Sequence, residues 1–194
     1  MGNTNDKILV HICCAACFSY LHKVLSAEDY NIVGIFYNPQ THGKAEYLRR
    51  LYGVESFCKK NNIELIVPEY NVQEFFKPIL PMQDKNSIKY IGDKKRWRTK
   101  RCQKCYSLIL TQLMSFALDN DIKIITTSLL VTPYKDHDEI WNIGLELERE
   151  NDVRFYYKDF RKGYWSGRNY ARSHKMCIPS YCGCVYSSEE GILE

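Results

Sequence analysis

No stretch of the sequence approaches the roughly 18 consecutive apolar residues that a membrane-spanning helix needs, so no membrane partner is expected. The opening MGNTNDK has no apolar core ahead of the first hydrophobic segment and does not read as a signal peptide. Its Met-Gly start lacks the second signal that stable lipid anchoring requires. Internal repeats, low-complexity tracts and linkers are also missing. These absences point to one cytoplasmic domain over residues 1–194, long enough to bury a core of its own. At 45% hydrophobic and 26% charged residues, the composition is that of an ordinary globular protein.

What the sequence has in excess is cysteine, nine in all. In a reducing compartment, spaced thiols favour metal binding or redox chemistry over structural disulfides. The spacings are Cys13-Cys14-x-x-Cys17, Cys102-x-x-Cys105 and Cys182-x-Cys184, with Cys58 and Cys177 apart. Four thiolates from Cys14, Cys17, Cys102 and Cys105 suit either tetrahedral zinc or an iron–sulfur cluster. A structural zinc site closes at four ligands, so the neighbouring Cys13 favours a redox or catalytic centre with a second metal. Cys182 and Cys184 enclose too small a ring for a structural staple; they read as an exchangeable disulfide or as further ligands. Cys58 reads as a packed core thiol.

Hydrophobic patterning predicts alternating strands and helices. Strands are expected over KILVHIC, NIVGIFYN, IELIVPEY, IKIITTSLL and VRFYYKDF. Helices are expected over ACFSYLHKVLS, residues 44–61, CYSLILTQLMSFALDN and DEIWNIGLELERE, with residues 78–100 irregular. Such alternation predicts an α/β fold, a three-layer sandwich around a mostly parallel sheet. Ligands of such sheets lie beyond the carboxyl ends of the strands. Cys13 and Cys14 fall at the first strand's end and Cys17 in the first turn of the helix that follows, where the helix dipole favours thiolates.

Net charge is +4, and its distribution is uneven. Lys94, Lys95, Arg96, Arg98, Lys100 and Arg101 surround Trp97 immediately before CQKC, and FRKGYWSGRNYARSHK lies further on. Clustered cations interleaved with aromatics suit RNA, although a solvated basic loop has the same composition. Among other polar candidates, His11 reads as a satisfied core residue and His42 as a loop residue near the sheet edge. Asp136, His137 and Asp138 read as a helix start.

Taken together, HICCAAC, FYNPQTHGKAEYLRR, RCQKCY, TTSLLVTPYKDHDEI and YCGCVYS resemble the QueH type of epoxyqueuosine reductase, in the same order and over nearly the whole chain. The resemblance implies a Rossmann-like fold and reduction of epoxyqueuosine in tRNA to queuosine without cobalamin. It implies a [4Fe-4S] cluster and an additional iron ion held by Cys13, Cys14, Cys17, Cys102 and Cys105, with an electron donor that remains to be identified. It also makes Cys182 and Cys184 a redox pair. Cys13, Tyr106 and Tyr181 become catalytic candidates, with His42 a further proton donor. Lys94 to Arg98, with Lys100 and Arg101, become the tRNA-binding segment. Ala16 stands where the family usually has proline, Gln40 where it has asparagine, and Cys177, Ile178 and Pro179 replace a Tyr-Arg-Gln run. Two rival readings are a paralogous reductase with another substrate and a zinc-stabilised tRNA-binding module.

Overall fold

The computed structural model describes residues 6–82 and 99–189. Five parallel strands, β1 (Lys7–His11), β2 (Asn31–Ile35), β3 (Glu64–Ile66), β4 (Ile124–Thr127) and β5 (Arg154–Phe155), pair in the order β3-β2-β1-β4-β5. Ile8, Leu9 and Val10 on the central β1 are wholly buried, as a strand covered on both faces requires. Helices α1 (Ala15–Ala27) and α2 (Lys44–Lys60) pack on one another, as do α3 (Val72–Ile79), α4 (Lys100–Asp119) and α5 (His137–Glu150) in sequence. Helix α6 (Tyr164–Ser173) packs chiefly on α1, and the short α7 (Val185–Glu189) follows the last cysteines. The strand order reverses between β1 and β4, which makes their carboxyl ends the switch point where such sheets bind ligands.

The expected alternation is present, with four corrections. β4 ends at Thr127 instead of running through Leu130, because the Thr127 hydroxyl accepts from the Leu129 amide and turns the chain into a 3-10 turn over Ser128–Val131. β3 and β5 are shorter than expected. Helix α4 starts five residues earlier, capped by the Thr99 hydroxyl on the Cys102 amide, so Cys102 and Cys105 stand one turn apart on one helix. Helices α3 and α6 were not expected at all.

Candidate metal and reduction site

The chain leaves β1 through Ile12 and Cys13, and Cys14 occupies the N-cap position of α1 in an extended conformation. This places the sulfurs of Cys13, Cys14 and Cys17 within 4.8 Å of one another. Ser128, at the end of β4, fixes Cys13 from across the switch point. Its hydroxyl accepts from the Cys13 amide at 2.9 Å and lies 3.2 Å from the Cys13 sulfur, to which it donates. Cys14 is drawn well below the usual thiol range by hydrogen bonds from the Cys13 and Cys17 thiols, which outweigh its burial. The Cys17 backbone amide and the Arg50 guanidinium act in the same direction. Cys13 is correspondingly pushed up to about 11 and Cys17 is also raised, each chiefly by its bond toward a partner sulfur. Within the group, Cys14 is thus the sulfur whose surroundings most favour loss of its proton.

These sulfurs open onto a cleft enclosing about 720 Å³, counted to its mouth. Cys105 and Tyr106 of α4, Lys135, Tyr164 and Arg168 of α6, Tyr181 and Cys182 complete much of its wall. The α4 pair thus contributes Cys105 to the cleft, while Cys102 is not part of the lining. Burial raises both α4 thiols. Cys182 is lowered by the Cys184 thiol and by the adjacent Lys135 ammonium, which donates to its sulfur. Cys182 and Cys184 stand side by side as free thiols, with a hydrogen bond between their sulfurs. Gly183 between them has φ +116°, and a side chain there would meet Thr41 and Arg50, so this turn of the YCGC segment needs glycine.

Arg50, only 3% exposed, anchors this segment from α2. It pairs with Glu46 at 2.7 Å and donates to the carbonyls of Tyr181 and Cys182, each at 3.0 Å. In the sequence it is one of two adjacent arginines, and nothing in the pattern distinguishes it from Arg49. Gln40 is marked in the sequence only as a departure from asparagine. Asn38 donates through its amide nitrogen to the Ile12 carbonyl, which can only accept; the Asn38 oxygen then accepts from the Gln40 amide nitrogen at 2.9 Å. The relay leaves the Gln40 Oε1 without a partner although the residue is 3% exposed and lines the cleft.

Other candidates fall elsewhere. His11 donates Nε2 to the Tyr37 carbonyl and receives the Thr127 hydroxyl on Nδ1, a satisfied neutral core residue. His42 accepts the Val185 amide and stacks on Phe76 with ring centroids 4.6 Å apart, holding the start of α7. Asp136 caps α5 by accepting the Glu139 amide. Cys58 is packed in the core, its thiol pushed up to about 12 by burial. Lys94, Lys95, Arg96, Trp97 and Arg98 lie outside the described residues. Lys100 is exposed, whereas Arg101 is only 6% exposed with its guanidinium 4.1 Å from the Tyr186 ring centroid, which removes it from a solvent-facing basic patch. Among the described residues, no helix is long and apolar enough to cross a membrane.

A family model described as epoxyqueuosine reductase QueH matches residues 8–190. Epoxyqueuosine reductase QueH from Dehalococcoides mccartyi is 29% identical over 185 residues, covering 95% of this chain and 93% of that protein. The protein of the same name from Thermotoga maritima is 30% identical over 183 residues, covering 93% and 89%. Among solved structures, the U34-tRNA thiolase NcsA from Methanococcus maripaludis with its [4Fe-4S] cluster superposes with a TM-score of 0.56 at 12% identity. That alignment covers 97% of this chain and 65% of the thiolase, and it shows likeness of fold alone.

Proposed function

Because this chain belongs to the epoxyqueuosine reductase QueH family, we propose that its cleft receives epoxyqueuosine in tRNA and reduces it to queuosine. Family membership makes it an oxidoreductase of queuosine biosynthesis, and we place that work in the cytoplasm. The observation that carries the iron-dependent form of this reading is the group of three sulfurs on the cleft wall.

Three sulfurs within 4.8 Å, one drawn toward the thiolate, are a soft donor set that fits an iron–sulfur centre. Cys13, Cys14 and Cys17, with Cys102 and Cys105 from α4, would hold a [4Fe-4S] cluster and an additional iron ion. A centre of this kind supplies electrons and a Lewis acid when bound. The net change takes two electrons and two protons, converting the epoxide to an alkene and water, with the electrons drawn from an external donor.

The chain's own groups do the holding. Gln40 offers an acceptor whose orientation the Asn38 relay fixes, suited to a hydroxyl of the substrate ring. Tyr106 is buried on the cleft wall, where its hydroxyl would be a proton donor to the substrate. Tyr181 stands opposite the Arg50 guanidinium, 5.4 Å from it. Cys182 and Cys184, free thiols beside Lys135, would be oxidised and re-reduced as a pair. Lys100 and the segment 94–98 would meet tRNA phosphates.

The deciding experiment is an anaerobic iron, sulfide and zinc count with an absorption spectrum, alongside turnover of epoxyqueuosine-containing tRNA with a chemical reductant. Iron and sulfide in the wild type, with queuosine formed by the wild type and not by Cys13→Ala, is the expected result. A colourless protein with stoichiometric zinc and no turnover overturns it.

A further inference from the structure

Helix α6 carries a feature that the reduction chemistry leaves unused. Tyr134 and Tyr164, both on the cleft wall, meet edge to face at 5.7 Å, and Tyr164 meets Trp165 in the same manner at 5.2 Å. The Arg168 guanidinium lies 5.4 Å from the Tyr164 ring and 6.0 Å from the Trp165 ring. Arg168 donates to the Pro179 carbonyl, yet its buried Nε has no partner. Trp165 is 60% exposed. A continuous run of aromatic rings, flanked by a planar cation, therefore leads from the cleft to the outer surface.

Along the chain on either side of α6 the charge is of one sign. Between Asp159 and Glu189 the sequence contains five Lys and Arg residues and no carboxylate. Arg161 is neutralised by Asp159, but Lys162, Arg172 and Lys175 are exposed and have no carboxylate within salt-bridge reach among the described residues. Trp165, Arg168 and Arg172 follow one another at spacings of three and four, one stripe of the helix. Isolated exposed tryptophans are ordinary. One continuous with a cleft, beside an arginine and inside a basic stretch of chain without carboxylates, has the composition that stacks unpaired bases and tracks phosphates.

Resting on the reading that the cleft acts on a tRNA nucleotide, we propose that the outer face of α6, centred on Trp165 with Arg168 and Arg172, is the platform on which unpaired loop nucleotides next to the reacting one stack. Trp165 supplies the stacking ring, and Arg172 and Lys162 neutralise the adjoining phosphates. The occupant is single-stranded RNA with exposed bases, held at the edge of the cleft, which leaves the reacting nucleotide free to enter.

The test measures the affinity of the purified holoenzyme for a fluorescent, unmodified anticodon stem–loop and for a fully paired RNA duplex of equal length. Trp165→Ala weakens stem–loop binding by about fivefold or more, since stacking on an aromatic ring is worth at least that factor. Duplex binding stays unchanged, and Trp165→Phe keeps most of the stem–loop affinity. Arg172→Ala weakens both RNAs and lowers the salt dependence of binding. Equal stem–loop binding by wild type and Trp165→Ala overturns the proposal, as does an equal loss on the duplex. Melting temperature and iron content, both expected to match the wild type, show that the variant is folded. Loss of stem–loop binding in Trp165→Ala, with no epoxyqueuosine turnover by the wild type, sinks the reductase reading and leaves the platform standing; the reverse pattern sinks only the platform.

Discussion

Gln40 shows how much of a site can reside in the orientation of one amide. In the sequence Gln40 is marked only as a departure from asparagine, and its role emerges when Ile12, Asn38 and Gln40 are read as one directed chain of donors and acceptors. Its oxygen is buried without a partner, and the residue lines a cleft that also holds donors such as Arg168 and Lys135. Gln40→Met keeps the volume and removes the acceptor. It should raise KM for epoxyqueuosine-containing tRNA by roughly tenfold, the scale of one buried hydrogen bond to substrate, with a smaller change in kcat. The same variant leaves the Asn38 oxygen unpaired, at a cost of about 1–3 kcal/mol. Steady-state kinetics beside thermal denaturation separates the two effects, and a lower melting temperature with unchanged KM would assign Gln40 to loop support alone.

At the scale of elements, α6 is formed by what it packs against. Its sequence, YWSGRNYARS, contains glycine, serine and asparagine and little that favours an isolated helix. Gly167 lies so close to α1 that a Cβ there would stand 2.1 Å from the Ala16 carbonyl oxygen. Gly167→Ala therefore has to push α6 away from the start of α1, costing about 1–3 kcal/mol as an overpacked contact. Because Tyr164 and Arg168 move with the helix, stem–loop affinity should fall together with melting temperature. A variant as stable and as tightly binding as the wild type would show that α6 adjusts freely.

The same dependence explains what could be read from the sequence. The thiol positions, the central strands and α2 were legible because their signals are local: repeated spacings, β-branched runs and a long helical period. α3 was hidden by Pro78, which the helix accommodates in its last turn, and α6 by the absence of any local preference. Arg50 and Ser128 were illegible because their partners lie 132 and 115 residues away in the chain. Cys102 was legible as a thiol, but whether it faced the cleft depended on the starting turn of α4.

At the scale of the whole molecule, the switch point is held together by His11. It links β1 to Thr127 at the end of β4 and to the Tyr37 carbonyl beyond β2, one residue before the chain enters Ile12 and Cys13. Burial lowers His11 from its ordinary 6.5, and His42 and His137 are lowered for the same reason. A histidine whose folded pKa is depressed contributes stability that is fully present above the unfolded value. That contribution is lost as pH falls below about 6.5 toward the folded value, because the unfolded chain then binds the extra proton. Unfolding free energy should accordingly be nearly flat between about pH 7 and 8 and decline between about 6.5 and 5, by up to about 1.4 kcal/mol per pH unit for each histidine. Acid also protonates thiolates, so the slope of the wild type alone does not isolate the histidines. His11→Gln keeps the cysteines and removes one titrating group, so urea denaturation at pH 7, 6 and 5 should give a slope shallower by up to one proton. Parallel slopes for the two proteins would place the acid sensitivity in the sulfurs and remove His11 from the account.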